Sequence, residues 1–286
     1  MTTEPECSEL SGRELARTVR AEVAARAAAL SAEGRPPRLA VVSASDDGGS
    51  AAYVRSLAAA ADRTGIACDV VRTTTVAGLT ATLAQLADDP EVHGIIAQTP
   101  LPAGASLAAL ATAIPPAKDV DGANPESIGR LAAGLDAFAP ATAAAVLALL
   151  DHYGVALRGR RAVVVGRSVV VGKPVAQLLL DRNATVTICH SHTTDLPAVT
   201  RQADILVAAA GRAGLISPEH VSPGTTVVDV GTSPAAGGGL AGDVDPAVAG
   251  TAAALTPVPG GVGPVTTALL LSHVVRAAEA SAPQAP

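Results

Sequence analysis

Short apolar runs that alternate with helical segments constrain this chain more than any other feature. Leu39–Ser43, Cys68–Arg72 and His93–Ala97 are five-residue runs, too short for helices and bounded by turn residues. Residues 50–64 and 79–87, between them, carry helical periodicity. Upstream, Leu15, Val19, Val23 and Leu30 recur at helical spacing over residues 12–30, until Pro36-Pro37 stops the helix. Strands joined by crossover helices pair in parallel, so this pattern predicts a parallel sheet. After Pro115–Pro140, which reads as irregular, and a helix over 142–154, the alternation restarts. Strands are predicted at 161–165, 185–189, 205–209 and 226–230, a helix at 175–181, a Gly-rich loop at 235–239 and a last helix at 265–280. At ~150 residues per domain, 286 residues make about two domains. The predicted fold is α/β. Residues 1–140 form an N-terminal domain, completed by the C-terminal helix within 265–286. Residues 141–264 form a second, Rossmann-like domain.

Composition narrows the function. The 20 basic and 26 acidic residues give a net charge of -6 with no basic cluster, which argues against a nucleic-acid binder. Aromatics are 1% of the chain, too few for stacking platforms. No apolar run approaches the ~18 residues of a membrane helix. Glu4, Glu6 and Glu9 stand where a secretory signal would be basic. Cys7, Cys68 and Cys189 are odd in number and scattered, which fits a reducing cytoplasm. Lys118 and Lys173 are the only lysines.

The strand–turn–helix over 161–181 carries the clearest local chemistry. A glycine-bounded turn, Gly166-Arg-Ser-Val-Val-Val-Gly-Lys-Pro174, leads into a helix N-terminus, whose free N–H groups suit an anion. Pro174 fits the first helical turn, where its missing N–H costs nothing. The Gly166 to Gly172 spacing is not G-x-G-x-x-G, so an ordinary βα loop stays open. The next strand ends in Cys189-His-Ser-His-Thr193, without the carboxylate that accepts from a ribose 2′-OH. Arg167 and Ser191, with His192 as an extra donor, suit a 2′-phosphate and favour NADP over NAD. Strand alternation splits the Cys-His-Ser-His side chains between two faces, so no metal is predicted.

Gln98-Thr-Pro-Leu-Pro102, Lys118-Asp-Val-Asp-Gly122, Gly166–Pro174, Ala184–Ser191, Asp229-Val-Gly231, Gly242-Asp-Val244 and Thr256-Pro-Val-Pro-Gly-Gly-Val-Gly-Pro264 occur in this order. Together, and in their order along the chain, they resemble the bifunctional methylenetetrahydrofolate dehydrogenase/methenyltetrahydrofolate cyclohydrolase family over nearly the whole chain. The resemblance implies a folate-side α/β domain and a Rossmann-like NADP-binding domain around a cleft. It implies oxidation of 5,10-methylenetetrahydrofolate to the 5,10-methenyl cation by hydride transfer, then hydrolysis to 10-formyltetrahydrofolate. By position it assigns Tyr53, Gln98 and Asp121 to catalysis. Tyr53 would lie at the folate ring and Asp121 at the pterin. Pro259, Gly260, Gly261, Val262 and Gly263 would border the substrate. Gly166, Arg167, Ser168, Gly172, Ser191 and Thr232 would hold NADP. A homodimer is implied as well.

The departures sharpen this expectation. The family places a lysine four residues after the tyrosine and credits it with the cyclohydrolase step, whereas this chain has Leu57. Arg55, two residues on, points nearly opposite and stays protonated near neutral pH. Hydride transfer needs positioning and tolerance of a developing cation, while hydration needs proton transfer. Leu57 therefore predicts a dehydrogenase with weak or absent cyclohydrolase. The alternatives are a fully bifunctional enzyme, a homologue in a specialised pathway with an altered folate substrate, and a non-catalytic binder of folate and NADP. Ala123, Thr99 and Pro140-Ala-Thr-Ala143 also depart from the family pattern, by drift toward alanine or by reshaping of the substrate cleft.

Overall fold

The computed structural model describes residues 7–45, 48–235 and 237–281. Glu4 and Glu6, residue 236 of the predicted loop and residues 282–286 of the predicted C-terminal segment lie outside them. Elements run in chain order as β1 (Ser8–Glu9), α1 (Arg13–Ala32), β2 (Arg38–Ser43), α2 (Gly48–Arg63), β3 (Ala67–Arg72), α3 (Val76–Asp88), β4 (Gly94–Gln98), α4 (Leu107–Ala111), α5 (Pro125–Ala132) and α6 (Ala141–His152). They continue as β5 (Arg161–Val165), α7 (Gly172–Asp181), β6 (Thr185–Cys189), α8 (Leu196–Thr200), β7 (Ile205–Ala208), β8 (Thr226–Asp229), β9 (Ser233–Pro234), β10 (Leu240–Ala241), β11 (Ala254–Leu255) and α9 (Val262–Ala280). No described helix is long and apolar enough to cross a membrane.

The chain divides into two compact units. One holds Ala16–Ala141 and the chain from Thr267 on. Its sheet is parallel, in the order β3-β2-β4. Alternation along β2 splits the core in two. Leu39 and Val41 pack with Leu57, Ile66, Val120 and Val274, while Ala40 and Val42 pack with Leu79, Leu83, Ile95 and Leu110. Each such buried aliphatic side chain contributes roughly 2 kcal/mol of hydrophobic stabilisation. The stretch predicted as irregular, 115–140, contains α5. Asn124 caps that helix by accepting from Glu126 N–H, and Pro125 sits at its first position. Eight residues are too few for apolar periodicity to stand out, so only the cap signals were available.

The other unit holds the chain up to Leu15 together with Thr142–Thr266. Its parallel sheet runs β1-β11-β8-β7-β5-β6. The N-terminal segment thus differs from the predicted division, which placed it in the first domain. Residues 7–15 group with this unit because β1 pairs with β11, Ser8 opposite Ala254. Two residues of strand carry no readable alternation. The predicted 235–239 loop joins β9 to β10, an antiparallel pair.

Candidate active site

In the second unit, β6 and β7 flank β5 on opposite sides. This is a topological switch point, where loops leaving adjacent strands diverge and open a crevice at the strands' C-terminal ends. A cavity of about 410 Å³ lies there, within the ordinary range for small-ligand sites. Gly166, Arg167 and Ser168 after β5, Ser191 after β6 and Arg212 after β7 line it.

Gly166 and Gly172 form the turn by direct contact. Gly166 has φ +131, and a Cβ there would overlap the Ala209 carbonyl oxygen. A Cβ on Gly172 would overlap the Gly166 carbonyl. The six-residue spacing that looked weak in the sequence is therefore a glycine–glycine crossing that lays the start of α7 against the end of β5. Ser168 closes the turn: its Oγ accepts from Gly172 N–H at 3.2 Å and its carbonyl from Lys173 N–H at 3.1 Å. Gly172 itself supports the turn from below and does not line the cavity. Nor does exposed Thr232 line it. The anticipated donor His192 is also absent from the lining; its backbone N–H donates to His190 Nδ1 at 3.2 Å, and His190 lines the cavity instead. Alternation told which face a strand residue takes, but the turn after β6 decides which ring reaches the crevice. Among the described residues no group of three or more His, Cys, Asp or Glu is placed to hold a metal.

Two aspartates that carry no sequence assignment hold the cavity wall. Asp243 Oδ2 accepts from Ala210 N–H at 2.6 Å and Gly211 N–H at 2.8 Å, fixing the loop after β7. Asp229 accepts from Gly231, Asp243 and Val244 N–H groups, each at 2.9 Å. Thr256 Oγ1 accepts from Asp229 N–H at 2.7 Å. Burial pushes the Asp229 carboxyl up, against these N–H groups. A Cβ on Gly242 would overlap the Asp229 carboxylate and one on Gly231 would overlap Asp243, which explains both glycines.

The Pro259–Gly263 segment belongs to this same unit. Gly260 has φ +118 and is buried; Pro259 and Gly263 are exposed, while Gly261 and Val262 are buried. Gly12 N–H donates to Gly260 O at 2.8 Å, and a Cβ on Gly12 would overlap the Gly261 carbonyl. Gly12 thus braces the loop, a role with no local signal because the two glycines are far apart in sequence.

In the first unit, Tyr53 lies within electrostatic reach of Asp121. Tyr53 sits on α2, 37% exposed. Its phenol is pushed up to about 12, by burial first and then by the Asp121 charge. Asp121 follows Asp119-Val120 and is half-buried. Burial, with the Asp119 carboxylate nearby, pushes it up to about 7. Asp119 is itself committed, accepting from Ala123 N–H at 2.9 Å and Asn124 N–H at 2.8 Å. Gln98 ends β4. Its Nε2 donates to Thr99 O at 2.8 Å, and Ser50 Oγ donates to the same carbonyl at 3.2 Å. Leu57, one helical turn past Tyr53, is 1% exposed and packs in the core. Lys118 offers no replacement amine, since its Nζ donates to Leu86, Ala87 and Asp89 carbonyls at 3.2, 2.8 and 2.6 Å, closing the end of α3.

Comparison with known proteins matches both units. Residues 10–121 match the catalytic domain of tetrahydrofolate dehydrogenase/cyclohydrolase, and residues 140–282 match its NAD(P)-binding domain. The chain is 62% identical over 278 residues to Bifunctional protein FolD 1 of Saccharopolyspora erythraea, covering 96% of this chain and 95% of that protein. Among solved structures it is similar to the bifunctional enzyme FolD of Campylobacter jejuni, with TM-score 0.92 and 38% identity over 96% of this chain and 99% of that one. It is equally similar to FolD of Trypanosoma brucei, solved with NADP and an inhibitor, with TM-score 0.92 and 37% identity over 97% and 99% of the two chains. The glycine crossing under α7 and the Asp-Val-Asp-Gly turn thus stand on a chain matched along nearly its full length, and this protein belongs to the tetrahydrofolate dehydrogenase/cyclohydrolase family.

Proposed function

We propose that this chain uses NADP to oxidise 5,10-methylenetetrahydrofolate to the 5,10-methenyl form and hydrolyses that product to 10-formyltetrahydrofolate. The observation that carries the first step is the Arg167–Ser168–Ser191–Arg212 lining of the nucleotide cavity. It has two guanidinium groups and no carboxylate among its described residues, a donor set that suits a 2′-phosphate and disfavours a bare ribose diol. The α7 N-terminus suits the pyrophosphate, and Thr232 is assigned there by family resemblance. When bound, NADP supplies the hydride acceptor.

On the folate side, Asp121 accepts from the aminopyrimidine edge of the pterin. Tyr53 flanks the ring. Gln98, with its amide nitrogen held by Thr99, presents its carbonyl oxygen beside the carbon that gains positive charge. Acceptors and carboxylate around a developing cation stabilise it, and no ammonium opposes it. Pro259–Gly263 provide backbone that a ligand can approach closely. Names of the close relatives support the second step, since proteins 62% identical are called bifunctional. A specific observation favours a second reading, a dehydrogenase with weak cyclohydrolase: apolar Leu57 occupies the site one turn after Tyr53. A time course with 5,10-methylenetetrahydrofolate and NADP separates them. With both steps intact, 10-formyltetrahydrofolate rises with NADPH and the methenyl absorbance stays low. Methenyl accumulating mole for mole with NADPH overturns the bifunctional reading. We assign the chain to the cytoplasm, on its three free cysteines, and to a homodimer, on family resemblance with the open edge of β3.

The pH behaviour of Asp121 tests its role. Only its ionised form accepts from pterin donors, so folate affinity rises with pH toward about 7 and levels off above it. The same group opposes folding. Its folded pKa lies above its unfolded one, so its stabilising effect is complete below the unfolded value of 3.8 and is lost as pH rises toward about 7. Asp121→Asn is therefore expected to raise the melting temperature at pH 8 while raising the folate KM roughly 30-fold, as loss of a charged hydrogen-bond pair does. A melting temperature unchanged or lowered at pH 8 contradicts the buried-carboxylate account.

A further inference from the structure

The turn that carries Asp121 is gripped on several sides. Val120 is fully buried, and its methyl groups fill the space above Gly94, where a Cβ would come within 2.9 Å of them and 3.0 Å of Val274. Because Gly94 opens β4 and Gln98 closes it, this contact sets the Asp121 turn in register with Gln98. On the other side, Gly122 has φ +66, and a Cβ there would lie 2.6 Å from both Phe138 O and Pro140 N. The turn therefore lies flat on the 138–140 segment. One polar contact completes the grip. His273 Nδ1 lies 2.8 Å from Val120 O. A carbonyl only accepts, so Nδ1 carries the hydrogen and donates. The His273 ring packs 5.1 Å from Phe138, whose ring also lies 4.9 Å from the Arg276 guanidinium. Arg276 in turn holds Asp136 at 2.6 and 2.7 Å. One face of α9 thus binds both the Asp121 turn and the segment beneath it.

We propose that His273 is a positioning residue for folate binding: its Nδ1–H, through the Val120 carbonyl, sets the direction in which the Asp121 carboxylate faces the pterin. The effect runs through the backbone, since the peptide that His273 holds is the one that starts Asp121. It does not touch the reacting carbon. The inference rests on the reading of Asp121 as the pterin-binding group.

Two variants and a control test it in the full-length enzyme. His273→Phe keeps a ring against Phe138 and removes the donor. His273→Asn restores an N–H at nearly the same place, because the amide nitrogen of asparagine and Nδ1 of histidine stand at the same remove from Cβ. The expected result for His273→Phe is a KM for 5,10-methylenetetrahydrofolate raised about tenfold, in line with loss of one hydrogen bond. Its kcat stays within about threefold and its NADP KM is unchanged. His273→Asn returns the folate KM to within about threefold of wild type. A folate KM unmoved in His273→Phe overturns the proposal, as does a rise in both KM values alongside a fallen melting temperature, or failure of asparagine to rescue. Asp121→Asn separates the two layers. If it leaves the folate KM unchanged, the reading of Asp121 fails. If it raises that KM while His273→Phe does not, only the positioning role fails.

Discussion

Gly172→Ala is expected to abolish NADP binding, raising its Kd at least 100-fold. The alanine Cβ would stand on the Gly166 carbonyl and beside Arg167 N, atoms that belong to backbone and have no rotamer to escape into. Gly166 cannot yield, because its own Cα sits against Ala209 O and its φ of +131 is open only to glycine. The start of α7 must therefore move away from β5, carrying the Gly172 N–H off Ser168. A forced contact of this kind costs roughly 1–3 kcal/mol in stability. The cost to binding is greater, because the turn and the helix N-terminus are both anion donors and shift together. Calorimetry with NADP and a thermal melt distinguish the two effects. Wild-type NADP affinity in a folded Gly172→Ala protein would show that this turn is not the cofactor's seat.

Leu57→Lys is the second large effect, and its two consequences oppose each other. Leu57 packs against Val54, Ala60 and Ile66 at 1% exposure. Lysine there gives up about 2 kcal/mol of apolar burial and brings an ammonium to the edge of the core. The melting temperature is expected to fall by about 5–10 °C. The ammonium gains stabilisation only by running along α2 toward Tyr53, four residues back on the same face, and toward the Asp121 carboxylate that Tyr53 senses. A cation there stabilises the charged carboxylate, so the Asp121 pKa is expected to drop below its value of about 7. It also adds a proton-transferring amine beside the substrate. The ratio of methenyl hydrolysis to NADPH formation is therefore expected to rise at least tenfold, in a stopped-flow assay of each step. A ratio unchanged from wild type means that hydration in this protein does not depend on the side chain at 57.

The residues proposed to meet the substrate were picked out by resemblance to the family, in motifs that stand out in the chain. Gln98 closes a readable strand, Asp121 sits in a Pro- and Gly-flanked motif, and Tyr53 is one of two tyrosines in the chain. His192 does not line the cavity, since a strand's period stops counting once the chain enters a turn. His190 and Arg212 reach the cavity through loop geometry that no spacing rule describes. Asp229, Asp243, Gly12 and His273 went unassigned because each acts by holding backbone remote in sequence.

The alternation of apolar runs with helices was enough to determine two parallel α/β sheets, because side-chain periods of 2 and 3.6 are local properties of the backbone. The motifs determined the family, and the sequence shows leucine at 57. Tertiary structure alone decided that β1 joins β11, that Gly166 crosses Gly172 and that His273 grips the Asp121 turn. Those pairings unite groups whose separation along the chain carries no periodic signal, and only close packing, where a single Cβ is too large or one N–H lies within reach of one carbonyl, selects them.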